Sequence, residues 1–441
     1  MAMSSNRSVA MPDPDTDSVA KGSRQQKLQQ LGILCGFAAA LWLAAAEAPS
    51  KLVTVSISPF VISFMMVAGA FVSRWSLPAL MRGTSDVLAD TKQVCHLIVW
   101  GAMAGCLWAV GNTLTILAIR DVGLSIAFPL WNCNSLVGIL WGVVLFRELR
   151  GAPALRKAAV VAGAVVICGG AVLLSFASGA GTASSASPVH GVMAAIGAGV
   201  VFGSMYIPYR KAYITGMNPL TFLTYFTIGE LVTMTAIAVC FEGGPSPFWK
   251  ELVASKQVLF WPFLGGVVWV LGDLLQNYAT KYVGISRGIP LSNTNQLWGL
   301  LWGVLVFGEL RGQSGSVYAL VIGGSLLMVA GAAAIASSSA TKDEYRSWEE
   351  AARRESKRYC IDAEYVAARM EGNEPPASRP GRTWLDYAIM AGAVAIFLYL
   401  ASFSKVPAIP INWVYFTALC IAMLAALVGS GVALWRLTKF D

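Results

Sequence analysis

Residues Trp108 to Gly151 recur 161 positions later as Trp269 to Gly312 without a gap, and 22 of the 44 aligned positions are identical. Identity at that level within one chain marks a duplicated unit, which has to fold twice. The echo continues upstream with small changes of offset. Pro59 and Gly69 answer Pro219 and Gly229, and Gly32, Pro49 and Lys51 answer Gly191, Pro208 and Arg210.

The duplicated unit is apolar. Only 13% of the chain is charged and 56% is hydrophobic, against about 25% charged in soluble domains. Runs of about 20 apolar residues, the length that crosses a bilayer, can be placed twelve times between Leu31 and Arg436. Five fall in each copy and two follow the second copy. An odd number of spans per copy turns the two copies over relative to one another. That geometry belongs to transporters that hold a solute near the membrane midplane. The expected architecture is an all-α polytopic membrane protein, a ten-helix five-plus-five inverted repeat with two additional C-terminal transmembrane helices. The divisions are a disordered tail over 1–30, the first repeat over 31–178, an extracytoplasmic linker over 179–190 and the second repeat over 191–337. A charged helix and linker follow over 338–384, and the two extra spans with a short tail over 385–441.

Cutting the chain at these spans places 25 Lys and Arg on the N-terminal side, six on the other, and Arg287 inside a helix. The positive-inside rule then predicts cytoplasmic termini in a cytoplasmic (inner) membrane. The formal charge of +8 follows from loops facing anionic lipid, so no nucleic-acid partner is required. The first apolar segment is followed at once by further spans and is expected to be an anchor rather than a signal peptide. The eight cysteines show no metal-site spacing, and the two histidines, His96 and His190, have no nucleophile or phosphate loop beside them. No enzyme, metal or cofactor is predicted.

The fourth and ninth spans carry the polar groups. Pro129 and Pro290 each lie about eight residues in, where proline removes a backbone hydrogen bond and bends a helix, with Ser125 and Ser286 four residues back. Asn132 and Asn134 follow in one copy, and Ser292, Asn293, Thr294, Asn295 and Gln296 in the other. At 100° per residue these side chains cannot share one face. Since a buried amide without partners is costly, they either hold helices together or line a wet site. The four asparagines would form a pseudo-symmetric core there, made selective by Ser292 and Gln296. Gly138-x-x-x-Gly142 and Gly299-x-x-x-Gly303 beyond them read as close-packing surfaces.

Trp108 and Trp269 sit one turn before Asn112 and Asp273, and Gln276 and Asn277 lie one turn further on. Tryptophan beside amide and carboxylate groups suits a sugar, whose C–H face stacks on a ring while its hydroxyls take hydrogen bonds; a packed core tryptophan is the alternative. The ionisable residues inside spans are Glu47, Glu230, Asp273 and Arg287, each of which needs a partner, a wet pocket or a proton. Asp273 or Glu230 could exchange a proton during transport, with Glu47 a weaker candidate at the outer end of its helix. A structural pair of Asp273 with Arg287 is the alternative. Glu148 and Glu309 read as interface caps. The segment Thr341 to Arg382 reads as a cytoplasmic helix near the headgroups followed by a proline-rich linker, and the last two spans as packing or homo-oligomer contacts.

Gly-rich fourth and ninth helices ending in Phe146-Arg-Glu-Leu-Arg150 and Phe307-Gly-Glu-Leu-Arg311 resemble the drug/metabolite transporter superfamily. Trp108-x-x-Gly-Asn112, Phe202-Gly-Ser-x-x-x-Pro208-Tyr-Arg-Lys211 and the Trp-Gly pairs are most similar to its glucose and rhamnose uptake families. The resemblance covers about residues 28–337 and implies a sugar carrier; the last two spans lie outside that pattern. The expectation is a secondary transporter for a small polar, neutral solute, with another metabolite (a ureide, nucleoside or amino acid) or a non-transporting scaffold or channel as alternatives.

Overall fold

Proline and small polar residues start several of the helices. Ser58 and Asn218 each accept a hydrogen bond from the second amide of the helix they precede, and each is followed by a proline at the first helical position, where the missing N–H leaves nothing unpaired. The computed structural model describes residues 14–46, 48–49, 57–122, 130–131, 134–177, 188–308, 312, 314–338, 341–370, 382–405 and 411–438. These form α1 (Pro14–Ala45), α2 (Pro59–Met81), α3 (Thr84–Gln93), α4 (Leu97–Val122), α5 (Asn134–Phe146), α6 (Ala154–Ala177), α7 (Pro188–Ile214), α8 (Pro219–Phe241) and α9 (Pro245–Ala254). The chain continues through α10 (Phe260–Val283), α11 (Ile285–Ser292), α12 (Asn295–Leu301) with a π turn at Trp302–Val306, α13 (Gly315–Ser337), α14 (Lys342–Tyr359), α15 (Ala363–Met370), α16 (Trp384–Phe403) and α17 (Trp413–Thr438).

The fold is all-helical among the described residues, and nine of its helices are long and apolar enough to cross a membrane. The chain is a multi-pass membrane protein. The other three predicted spans differ in informative ways. α10 has the length of a span, 24 residues, but carries Asp273, Gln276, Asn277 and Lys281. α5 is a shorter apolar helix of 13 residues. The predicted ninth span is broken, with α11 ending at Ser292, two residues after Pro290, and α12 starting at Asn295. The lost amide bond at proline explains the bend. The Ser286 hydroxyl does not compensate it locally, since Ser286 Oγ has no partner among the described residues. Pro129 and Ser125, where the sequence predicts the corresponding bend, lie outside the described residues. α1 begins at Pro14, inside the segment expected to be a disordered tail.

Helices of the two sequence copies pack across one another. α4 lies against α7 and α8, α10 against α1 and α2, and α2 against α8. Four glycines set the closest crossings. A Cβ on Gly69 would stand 2.0 Å from the Phe263 carbonyl oxygen, and one on Gly229 would stand 2.0 Å from that of Ala102. Gly266 meets Met66 O at 1.9 Å and Gly105 meets Phe226 O at 2.0 Å in the same way. Hydrogen alone fits at these points, so the α2–α10 and α4–α8 backbones touch. The same four helices carry Arg74, Asp273, Trp108 and Glu230.

The charged segment after α13 is docked on the bundle, where the sequence suggested a helix lying along headgroups. Its residues Glu344, Trp348 and Ala352 are buried. α16 packs on α2 and α17 on α1. Trp42 Nε1 donates to Met423 O at 3.1 Å, and buried Asp386 accepts from the amides of Thr84 and Thr383, both at 2.7 Å.

Candidate functional site

At the glycine crossings, three fully buried charges meet. Arg74 on α2 lies 3.0 Å from Glu230 on α8 and 2.5 Å from Asp273 on α10, and none of the three is more than 1% exposed. The guanidinium carbon sits 4.3 Å from the centre of the Phe226 ring and 4.7 Å from that of Trp269. Trp269 in turn faces Trp108, with ring centroids 5.1 Å apart and planes at 53°. One cation therefore serves two carboxylates under a pair of tryptophans, and the cluster holds one negative charge in excess unless a proton or cation joins it. Glu230 Oε1 has no partner among the described residues.

In the sequence Arg74 is counted with the loop cations because it stands one residue from the end of an apolar run that extends to Trp75. The helix runs on to Met81 through Pro78, so Arg74 lies well inside it. The proposed pairing of Asp273 with Arg287 is thereby corrected. Asp273 takes Arg74, while Arg287 makes a bidentate contact with Glu344 of α14, Nη2 lying 3.1 Å from Oε2. Sequence reasoning could not pair residues 57 positions apart across a helix taken to lie on the membrane surface.

From the triad, hydrogen bonds run along α10. Asn277 Nδ2 donates to Asp273 O at 2.7 Å, and the Tyr213 hydroxyl of α7 donates to Asn277 Oδ1. Gln276 Nε2 donates to Ser292 Oγ at 2.5 Å. At the break between α11 and α12, Asn293 Nδ2 donates to Asn134 Oδ1 at 2.7 Å and to Ser135 Oγ at 2.6 Å. This joins one asparagine of each sequence copy, so for Asn134, Asn293 and Ser292 the helix-holding alternative describes the observed contacts. Asn295 Oδ1 and both polar atoms of the Gln296 amide are buried without a partner among the described residues. Asn112 on α4 is half-buried. Asn132 and Glu47 lie outside the described residues. Gly138 and Gly142 approach Ile285 and Ser286 of α11, as close-packing glycines should, whereas a Cβ on Gly299 would meet nothing within 4 Å.

The expected interface cap Glu148 is 1% exposed and is a second buried hub. Arg147 and Leu149 both take positive φ, 55° and 62°, a backbone state uncommon for side chains larger than glycine's. Glu148, between them, accepts from the amides of Ile285 at 3.1 Å and Ser286 at 2.9 Å at the start of α11. It also pairs with Arg210 at 3.2 Å. Glu309, its counterpart in the second copy, lies outside the described residues. Beside this hub, Glu344 pairs with Arg287, accepts the Leu149 amide at 2.7 Å and caps α14 through Thr341. Elsewhere, Asp90 accepts from the Asn218 amide at 3.0 Å and from the Tyr365 hydroxyl, with Arg369 at 3.6 Å. Burial pushes the Tyr365 phenol above its usual range, which keeps it a donor. His96 stacks on Tyr359 at 3.8 Å. Burial holds its imidazole below the ordinary value, with Glu355 opposing and Lys211 adding to the shift.

The profile of the family described as sugar transport protein matches residues 227–355. A protein named for sugar uptake in Listeria innocua is 26% identical over 230 residues, covering 52% of this chain and 75% of that one. Another from Listeria monocytogenes shares the same identity and coverage. The glucose uptake protein of Staphylococcus xylosus is 23% identical over 218 residues, 49% of this chain and 70% of its own. These likenesses agree with the motifs that resemble the drug/metabolite transporter superfamily, and the chain is a multi-pass membrane protein that is similar over part of its length to the sugar transport family.

Proposed function

We propose that this chain is a secondary carrier that moves a sugar across the cytoplasmic membrane by alternating access of two inverted five-helix repeats, with both termini cytoplasmic. The observation that carries the reading is the buried Arg74–Glu230–Asp273 cluster under Trp108 and Trp269. A sugar lying on the tryptophan pair would have Asp273 and Asn112, each one turn along from a tryptophan on the same helix, to take its hydroxyls. The relatives named for sugar uptake favour a sugar over a ureide, nucleoside or amino acid.

The cluster also supports proton coupling. With two carboxylates and one guanidinium away from water, its charge balances when one carboxylate carries a proton. Protonation frees Arg74 from one partner, and release restores the three-way contact. Such a change lies where α2, α8 and α10 of the two copies cross, so it is placed to bias one arrangement of the halves over the other. Asn134 and Asn293 would tie the halves beside the break in the ninth span, and that break would act as the hinge.

Thermal unfolding of the purified chain against sugars, ureides, nucleosides and amino acids tests the substrate class. Stabilisation by sugars that is lost in Trp269→Ala supports the reading; stabilisation by amino acids alone would overturn it.

A further inference from the structure

Between the ends of α7 and α10, the start of α1 and the docked pair α14 and α15 lies a cavity of about 580 Å³, within the roughly 300–1,000 Å³ of small-molecule sites. Arg24, Arg210, Lys281 and Arg353 line it, against two carboxylates, Glu349 and Glu364. Cations are therefore in excess. The walls between them are aromatic, with Tyr213 and Tyr282 from the bundle and Tyr345 and Trp348 from α14.

Two buried donors on this wall have no acceptor among the described residues. Arg210 turns its Nε toward Glu148 and donates from Nη1 to the carbonyls of Thr280 at 3.3 Å and Lys281 at 3.1 Å. Its Nη2 is buried with no partner, and so is Trp348 Nε1, whose ring lies 4.2 Å from the same guanidinium. Buried N–H groups are rarely left so, and an arginine with a spare nitrogen beside further cations is the usual receiver of a multiply charged oxyanion.

We propose that this cavity binds an anionic molecule carrying a phosphate group, at a site separate from the tryptophan-lined one. The phosphate takes Arg210 Nη2 and Trp348 Nε1 and is balanced by Lys281 and Arg353. The volume exceeds that of inorganic phosphate alone, and the remainder accommodates a polar body against the tyrosines. Two sources share this chemistry, a phosphorylated soluble metabolite and the headgroup of an anionic lipid. Because Arg353 and Trp348 belong to α14 while Arg210 and Lys281 belong to the bundle, the ligand joins the two and favours the docked state of residues 341–370. The proposal stands without the sugar reading.

The test is thermal unfolding of the full chain in detergent with glucose 6-phosphate, inorganic phosphate or glucose, and in nanodiscs of phosphatidylcholine with and without phosphatidylglycerol. Arg353→Gln and Lys281→Gln are compared with the parent. A soluble source predicts that glucose 6-phosphate raises Tm by about 3 °C or more at saturation and binds at least tenfold more weakly in both variants. Any shift caused by glucose, which reports the tryptophan site, stays unchanged in them. A headgroup source predicts that phosphatidylglycerol, not the soluble probe, gives the variant-sensitive shift. No shift from either source, or equal shifts in parent and variants, overturns the proposal.

Discussion

Replacing Arg74 with methionine, similar in length but uncharged, strips the only cation in contact with Glu230 and Asp273 among the described residues. All three side chains are at most 1% exposed, so solvent cannot stand in. Removing one partner of a buried ion pair costs about 3–5 kcal/mol, and here one cation serves two carboxylates, which places the loss toward the upper end. Protonation of both carboxyls limits it. In a chain of this size the single variant should unfold roughly 5–10 °C lower than the parent, followed by tryptophan fluorescence in detergent. The triple variant Arg74→Met, Glu230→Gln, Asp273→Asn keeps the volumes and has no buried charge, and neutral replacements of whole buried ion clusters are often tolerated. It should recover most of the loss. A single variant within a degree of the parent, or a triple variant no better than the single, would refute the view that charge pairing rather than packing holds this crossing.

Gly105→Val puts a side chain 2.0 Å from the Phe226 carbonyl, which cannot move independently of its helix, so Tm should fall by several degrees, whereas Gly299→Ala, with open space around it, should leave Tm unchanged. Glu344→Gln weakens the bidentate contact to Arg287, and limited proteolysis of residues 341–370 should quicken at least tenfold while the membrane helices stay intact. Because burial lowers the His96 value, the folded face binds a proton less readily than the unfolded chain. Its stability is thus present above the ordinary value near 6.5 and declines as pH falls through the lowered folded value. Protection of the amides over α14, corrected for the intrinsic exchange rate, should weaken as pH falls below about 6.5, and His96→Phe should remove that dependence.

The residue alphabet made much of this legible. The 161-residue echo and the apolar run lengths foretold an all-helical membrane protein, and Pro290 foretold the bend at which the ninth span breaks. Periodicity places a residue on a face but not opposite a partner, so the pairings were hidden. Asp273 has two cations within reach by sequence, and only the crossing of α2 and α10 selects Arg74. That arginine also looked like a loop residue, because an arginine, a tryptophan, a serine and a proline end an apolar run by composition without ending a helix. The docking of α14 was hidden for another reason. Its charges suggest a solvated face, while Thr341 and Glu344 signal a capping box; nothing local says that the same Glu344 carboxylate reaches a buried arginine.

Reconstituted transport shows whether the Arg74–Glu230–Asp273 cluster couples sugar movement to a proton. Proteoliposomes containing the parent chain should exchange labelled for unlabelled sugar and should accumulate sugar when an inward proton gradient is imposed. Glu230→Gln and Asp273→Asn are each assayed in the same two ways. The prediction is that at least one variant retains exchange and loses gradient-driven accumulation together with its pH dependence. Accumulation and pH dependence that survive in both variants would contradict it.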